Sequence, residues 1–243
     1  MDWLNCKLAD KILLDTNAHI DYFSHTFRVN NDKFIRVLVG ADDEIFYPRE
    51  KSKDNKKFLI HFHGKFIPLQ GIEYIIKAAY LLQDGSIRFQ VIGTGQEYDK
   101  IRKTAAELSL KNVSFVDKVD YGTLAEYMAK ADVCLGIFGN TDKAQRVIPN
   151  KVYEAIAMAK PVITGDTPAI RELFADRENI LLCQTADPND LAEKILELKG
   201  NRGLYNEISK SGYKLFLENA TPKIIAGKLI KDMKQSNGYS QIL

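Results

Sequence analysis

The sequence predicts an α/β protein built on a doubly wound parallel sheet. Three observations carry this reading. Six short apolar runs lie between Phe58 and Cys183, as expected of strands covered on both faces. Stretches with helical spacing separate nearly all of them, which is the pattern of a parallel sheet with helices on both sides. Right-handed crossovers then gather the loops after the strands at one edge of the sheet.

Two further apolar stretches precede these runs. Lys11–Thr16 reads as a short buried strand, and Asn17 as the N-cap of a helix over Ala18–Phe27. Phe34–Val39 reads as another strand. A parallel strand at 11–15 cannot satisfy its edges alone. Residues 49–57 (REKSKDNKK) are charged and aperiodic, a connecting loop with solvated charge rather than a nucleic-acid site.

Phe58–Phe62 is the first strand of the main unit, followed by His63, Gly64 and Lys65. A glycine at the carboxyl end of a strand lets a ligand approach the backbone, where open α/β sheets bind ligands. His61 and His63 share one face of the strand end. They read as histidines satisfied by their neighbours rather than as catalytic groups. Ile72, Ile75, Ile76, Ala79 and Leu82 mark one face of a helix. Ile87–Ile92 is the next strand and ends in Gly93-Thr94-Gly95. Tyr98 occupies the third glycine position of a dinucleotide fingerprint, which argues against a standard NAD site. Tyr98, Ile101, Ala105 and Leu108 face the core from a second helix. Val113–Val116 is a strand, and Leu124, Tyr127 and Met128 mark a short helix.

The stretch from Val133 to Asp166 organises the rest. Val133–Ile137 reads as a buried strand, Gly139-Asn140-Thr141-Asp142 as a polar loop, and Pro149 as the first residue of a helix ending near Lys160. Val162-Ile163-Thr164 starts the following strand. Free N–H groups and the macrodipole make a helix start positive, so acids are favoured there. Arg146 and Lys151 stand there instead. The mismatch costs only about 0.3–1 kcal/mol on a surface. It becomes favourable if a phosphate or diphosphate binds. Glu154, about one turn further in, could accept two hydrogen bonds from a sugar diol. An ordinary surface helix with a solvated lysine fits the same residues. Thr167-Pro168 opens a helix, Ile180–Cys183 is the last strand, and Leu191, Ile195 and Leu198 form a helical stripe. Amphipathic helices are expected near Leu204–Leu217 and Pro222–Met233, with Gln235–Leu243 fraying.

Pro149-x-Lys151-x-x-Glu154, the following AIAMAKPVI and the strand before them resemble the donor-nucleotide half of family 4 glycosyltransferases with the GT-B fold. The resemblance runs roughly from Phe58 to Leu198 and weakly beyond. It implies a Rossmann-like half-domain over residues 51–220. Residues 1–50 would be a remnant of the acceptor domain with the crossing segment, and 221–243 the crossover helix and tail. It further implies an enzyme of polysaccharide biosynthesis that moves a sugar from a nucleotide-sugar donor to a glycan or lipid, with retention, no cofactor and no required metal. Gly64, Lys65, Asn150 and Lys151 would hold the donor diphosphate, and Glu154 the ribose. Gly139, Asn140, Thr141 and Arg146 would meet the sugar, and Lys118 and Val119 the base. Many members carry two glutamates eight positions apart. Arg146 stands where the first would be, although a branch with P-x-K-x-x-E also lacks it. Gln70-Gly71 replaces the family's K-G pair, and Lys151 is expected to supply the lost charge. No general base is assigned, because acceptor-side groups come largely from the other half. Most of that half is absent, so the chain is expected to be a fragment, or one subunit with a separate acceptor-domain polypeptide. The alternatives are that residues 1–50 pack locally on a complete protein, or that the chain is a non-catalytic nucleotide-sugar-binding subunit or remnant.

Composition adds exclusions. A net charge of +2 over 243 residues gives no field favouring nucleic acid or membrane. Cys6, Cys134 and Cys183 are far apart and in no metal spacing; the two in apolar strands, Cys134 and Cys183, read as small buried hydrophobes, which suits a reducing cytoplasm. The charged start, MDWLNCKLADK, is unlike a signal peptide. No apolar run approaches the roughly 18 residues a membrane span needs. A cytoplasmic location is expected, with peripheral contact at the inner membrane face as the other option.

Overall fold

The computed structural model describes residues 2–50 and 57–236; residues 51–56 of the charged loop and 237–243 of the expected frayed end lie outside the described residues. The chain begins with α1 (Asp2–Leu8), β1 (Ile12–Leu14), α2 (Asn17–Phe27) and β2 (Phe34–Arg36). Then come β3 (Phe58–His63), α3 (Ile72–Leu81), β4 (Ile87–Ile92), α4 (Tyr98–Glu107), β5 (Val113–Val116) and α5 (Tyr121–Lys130). The second half holds β6 (Val133–Leu135), α6 (Asn150–Ala157), β7 (Val162–Gly165), α7 (Pro168–Arg171) and β8 (Leu181–Cys183). It closes with α8 (Pro188–Gly200), α9 (Arg202–Asn219) and α10 (Pro222–Ser236).

Strands β3 to β8 form one six-stranded parallel sheet in the order β5-β4-β3-β6-β7-β8. The order reverses between β3 and β6. At such a switch point the two connections leave in opposite directions and open a crevice beyond the strand ends. Alternation along the strands divides the core. Ile60 and Phe62 of β3 and Phe89 and Val91 of β4 pack towards α3, α4 and α8. Ile92 of β4 and Cys134 of β6 pack towards α5, α6 and α9. Each large aliphatic or aromatic side chain so buried contributes about 1.5–3 kcal/mol. The expected stripe Ile72, Ile75, Ile76 and Ala79 is fully buried against the sheet.

Several boundaries differ from expectation for identifiable reasons. Thr16, not Asn17, caps α2: its hydroxyl accepts from His19 N and donates to the Arg146 carbonyl at 2.5 Å. Strand β2 stops at Arg36 rather than Val39, after covering one edge of β1 in a two-stranded parallel sheet. Strand β6 stops at Leu135 rather than Ile137, because Ile137 N turns to the Thr164 hydroxyl at 3.1 Å. Pro149 sits at the cap position with extended ψ of 144°, and its carbonyl accepts the first helical bond from Val152. Helix α6 ends at Ala157 rather than near Lys160. Ala159 turns left-handed at φ 51°, which frees Lys160 to cap α5 by donating to the Ala129 and Ala131 carbonyls. Nor is α6 a surface helix. Every residue from Lys151 to Ala157 is buried between the sheet and α9.

Residues before β3 pack on this sheet unit. The Glu172 carboxylate, just after α7, accepts from Asn17 N at 2.7 Å and Ala18 N at 2.8 Å, capping α2 from a distant part of the chain. Among the described residues, no helix is long and apolar enough to cross a membrane.

Candidate active site

The carboxyl ends of the strands on one side of the switch point open into a cavity. A cleft of about 570 Å³ lies over the ends of β3, β4 and β5. Its walls include His63, Gly64, Lys65, Lys118, Val119 and Glu154. A second hollow of about 780 Å³ adjoins it, bounded by Asp42, Phe46, Asn150 and α10, and the two share Tyr121 and Glu154. Glu154 therefore stands at their junction, although only 5% of its surface is exposed.

Two close backbone approaches shape the walls. Gly93 has φ of 128°, and a Cβ there would fall 2.1 Å from the Gly64 carbonyl oxygen. Only glycine lets the β3 and β4 turns meet so closely. Gly139 is buried against the turn Pro68–Gln70, where a Cβ would lie 2.5 Å from the Pro68 carbonyl oxygen.

Polar contacts link the strand ends to α6. His61 and Gln90 are opposite each other in the β3–β4 register, so they share a face. Gln90 Nε2 lies 2.9 Å from His61 Nδ1, His61 Nε2 lies 2.9 Å from His63 Nδ1, and His63 Nε2 lies 2.7 Å from Glu154 Oε2. Burial, with help from the Lys151 ammonium, takes the His63 imidazole down to about 3. Burial also holds His61 well below its ordinary value, with His63 and Lys151 adding to the effect. Both rings are thus neutral at physiological pH. Burial pushes the Glu154 carboxyl up to about 7, opposed by Lys151. It brings the Lys151 ammonium down to about 7, opposed by Glu154. The Glu154 charge and burial together raise the Tyr121 phenol.

The expected site residues fall into three groups. Gly64, Lys65, Lys118, Val119 and Glu154 line the main cleft, and Asn150 lines the adjoining hollow. Lys151 is buried instead of solvated. Its ammonium donates to Gln70 Oε1, sits 3.9 Å from the centre of the Phe62 ring, and lies 2.8 Å from where a Gly64 Cβ would be. Gln70 and Lys151, linked in the sequence only by a missing charge, are bonded partners. The third group lies elsewhere. Gly139 is packed under the Pro68–Gln70 turn, Asn140 is exposed, and Thr141 caps the short turn Ala144–Arg146 through Ala144 N. The Arg146 guanidinium lies 3.8 Å over the Tyr22 ring of α2.

Sequence reasoning missed the wall contributions of Thr94, Gln96 and Tyr121, and the link from His63 to Glu154. The available signal was the spacing His61-x-His63 together with Gln90 among the apolar positions of the next strand. Among the described residues, no group of three histidine, cysteine or acidic side chains is placed to hold a metal.

Comparison with known proteins fits this geometry. The profile of the family "Glycosyl transferases group 1" matches residues 43–215. An uncharacterized glycosyltransferase of Methanocaldococcus jannaschii is 25% identical over 245 residues, covering 90% of this chain and 64% of that protein. Sucrose-phosphate synthase from Thermosynechococcus elongatus superposes with a TM-score of 0.81 at 18% identity, over 98% of this chain and 62% of its own. Anabaena HepE in complex with UDP also gives 0.81, at 14% identity over 96% of this chain and 65% of its own. The chain thus spans less than two thirds of the length of each of these relatives.

Proposed function

This chain belongs to the group 1 family of glycosyl transferases, and on that premise we propose that its cleft binds a nucleoside-diphosphate sugar and supports transfer of the sugar to a glycan or lipid acceptor. The observation that carries the reading is Glu154: a buried carboxylate held by a histidine, at the junction of two cavities, facing the same space as Gly64 and Lys65. In this reading Glu154 accepts from the two ribose hydroxyls. Lys65, the Gly64 backbone, Lys151 and the start of α6 at Asn150 hold the diphosphate, since unpaired helical N–H groups and cations favour an anion there. Lys118 and Val119 border the base, whereas Gly139, Asn140 and Thr141, which line neither cavity, are given no sugar contact. Arg146, engaged with Tyr22, is given no sugar contact. The chemical work is stabilisation of the departing nucleoside diphosphate by preorganised positive groups, and electrostatic help of this kind often outweighs every other source of rate enhancement. Transfer proceeds with retention, the outcome implied by the family resemblance. The UDP in the HepE structure supports a nucleotide in this cleft.

Calorimetric titration with UDP-glucose, GDP-mannose and ADP-glucose tests the proposal. One donor should bind, and Glu154→Ala should weaken it by roughly ten- to a hundredfold, as for loss of hydrogen bonds to a charged group. Absence of binding to all three, or an unaffected Glu154→Ala, overturns it. One observation favours a second reading, binding without transfer: position 146 carries a cation stacked on Tyr22 where many relatives are expected to carry an acid. Donor binding with no sugar released to acceptor or water would select that reading.

A further inference from the structure

The four groups Gln90, His61, His63 and Glu154 form one continuous file from the interior of the sheet to the cleft. Three gaps of 2.9, 2.9 and 2.7 Å separate them. Gln90 and His61 are buried at 8% and 1% exposure, and the His63 and Glu154 side chains are nearly as enclosed at 12% and 6%. Water therefore cannot easily substitute for a lost partner. With the Gln90 amide nitrogen facing His61, proton counting gives the direction. The Gln90 amide nitrogen can only donate, so His61 Nδ1 accepts. His61, neutral, carries its proton on Nε2 and donates to His63 Nδ1. His63 then carries its own on Nε2 and donates to Glu154 Oε2. Every link has one proton and one lone pair, and every dipole points at the carboxylate.

We infer that Gln90, His61 and His63 are positioning residues that fix the rotamer of Glu154, and so set the site's demand for a vicinal diol on the nucleotide's ribose. This rests on Glu154 being the ribose-binding group. With Oε2 committed to His63, the carboxylate cannot swing about its side chain. Its remaining lone pairs stay aimed at the shared junction of the two cavities. A freely turning group grips two adjacent hydroxyls no better than one. The file therefore acts on discrimination more than on overall affinity, which the diphosphate supplies.

The experiment compares calorimetric affinities for UDP, GDP and ADP with those for their 2′-deoxy forms, carrying forward whichever ribonucleotide binds. Wild type should favour the ribose form by about tenfold or more, the size of one hydrogen bond to a charged group. His63→Leu should bring the ratio down to about two while the 2′-deoxy affinity changes little. His63→Gln, whose amide can accept from His61 and donate to Glu154, should restore most of the ratio. His61→Leu should fall between them. A purely structural role would lower both affinities together and would not be rescued. Equal ratios in wild type and His63→Leu, with Glu154→Ala abolishing discrimination, overturn the positioning file but leave the ribose reading intact. Failure of Glu154→Ala to alter the ratio, or absence of binding to all three nucleotides, overturns both. Two-bond proton–nitrogen spectra give an independent check. Both rings should carry the proton on Nε2, and an Nδ1 proton on His63 would refute the direction of the file.

Discussion

Binding of a nucleoside-diphosphate sugar should draw one proton into the protein above neutral pH, and Lys151 should be its acceptor. In the free protein, burial brings this ammonium down to about 7, with Glu154 opposing the shift. A diphosphate beside Gly64 would sit close to it, because a Cβ at Gly64 falls only 2.8 Å from Nζ. The bound anion favours the charged amine, so the amine's pKa rises on binding. Near pH 7 about half of the free protein already carries the charge, whereas near pH 9 only about one molecule in a hundred does. If only the charged amine binds, the Lys151 contribution falls by about fiftyfold over those two units, and the rise in ionised Glu154 makes the net loss about twenty-fivefold. Glu154 supplies the opposite limb. Burial pushes its carboxyl up to about 7, and it must be ionised to accept from a diol, so affinity also falls below neutrality. His63, at about 3, and His61, held lower than its ordinary value, stay neutral throughout. Tyr121, whose phenol is raised by Glu154 and burial, stays protonated. The profile is a bell centred near pH 7, and its two limbs belong to the interacting pair rather than to either group alone. Calorimetry with a nucleotide sugar, in buffers of different ionisation enthalpy, counts the protons directly. Lys151→Met should flatten the alkaline limb and weaken binding near pH 7 by roughly ten- to a hundredfold. An alkaline slope that survives in Lys151→Met, or equal affinity near pH 7 and pH 9, would refute the assignment.

Other outcomes follow from single contacts. Gly93→Ala should cost more than about 2 kcal/mol, since its φ of 128° and a 2.1 Å approach to Gly64 O leave no room for a methyl group. Urea denaturation measures this, and an unchanged midpoint would mean that the two turns can separate freely. Glu172→Ala should lose about 1–2 kcal/mol of capping at α2 and speed amide exchange at Asn17 and Ala18, whose N–H groups it accepts. Exchange that is unchanged there would show the cap to be redundant. Cys6, Cys134 and Cys183 are buried, and burial pushes the Cys134 thiol up to about 12. Ellman's reagent should therefore modify Cys134 and Cys183 only as fast as the sheet unit opens; rapid reaction of either in native buffer would contradict that packing.

The sheet was legible because its signal is local and redundant. A strand inside such a sheet is rich in apolar residues, and Ile87–Ile92 and Val113–Val116 stand at their expected bounds although each carries polar positions. Errors gathered where a distant group decides the local outcome. Nothing near Asn17 shows that Thr16 will find the Arg146 carbonyl, or that Glu172 will accept the first amides of α2. The boundary of β6 moved for the same reason, through the Thr164 hydroxyl. The site divides along this line as well. Topology brings strand-end loops to one mouth, so Gly64, Lys65, Lys118, Val119 and Glu154 share a cleft without any reasoning about side chains. Whether a side chain faces that cleft or serves its wall depends on register. His61 meets Gln90 because β3 and β4 pair His61 with Gln90, and a slip of one residue would turn His61 and His63 away from α6. The sequence does show the polar residues of that file in two apolar strands. It cannot show that their hydrogen-bonding demands close on one another, with the last one met by the acid whose function is at issue. A buried polar group in such a strand must find a partner. Here the partners lead to Glu154, so the buried polar residues of a strand, traced through the sheet register, point to the carboxylate that motif matching alone finds without explaining how it is held.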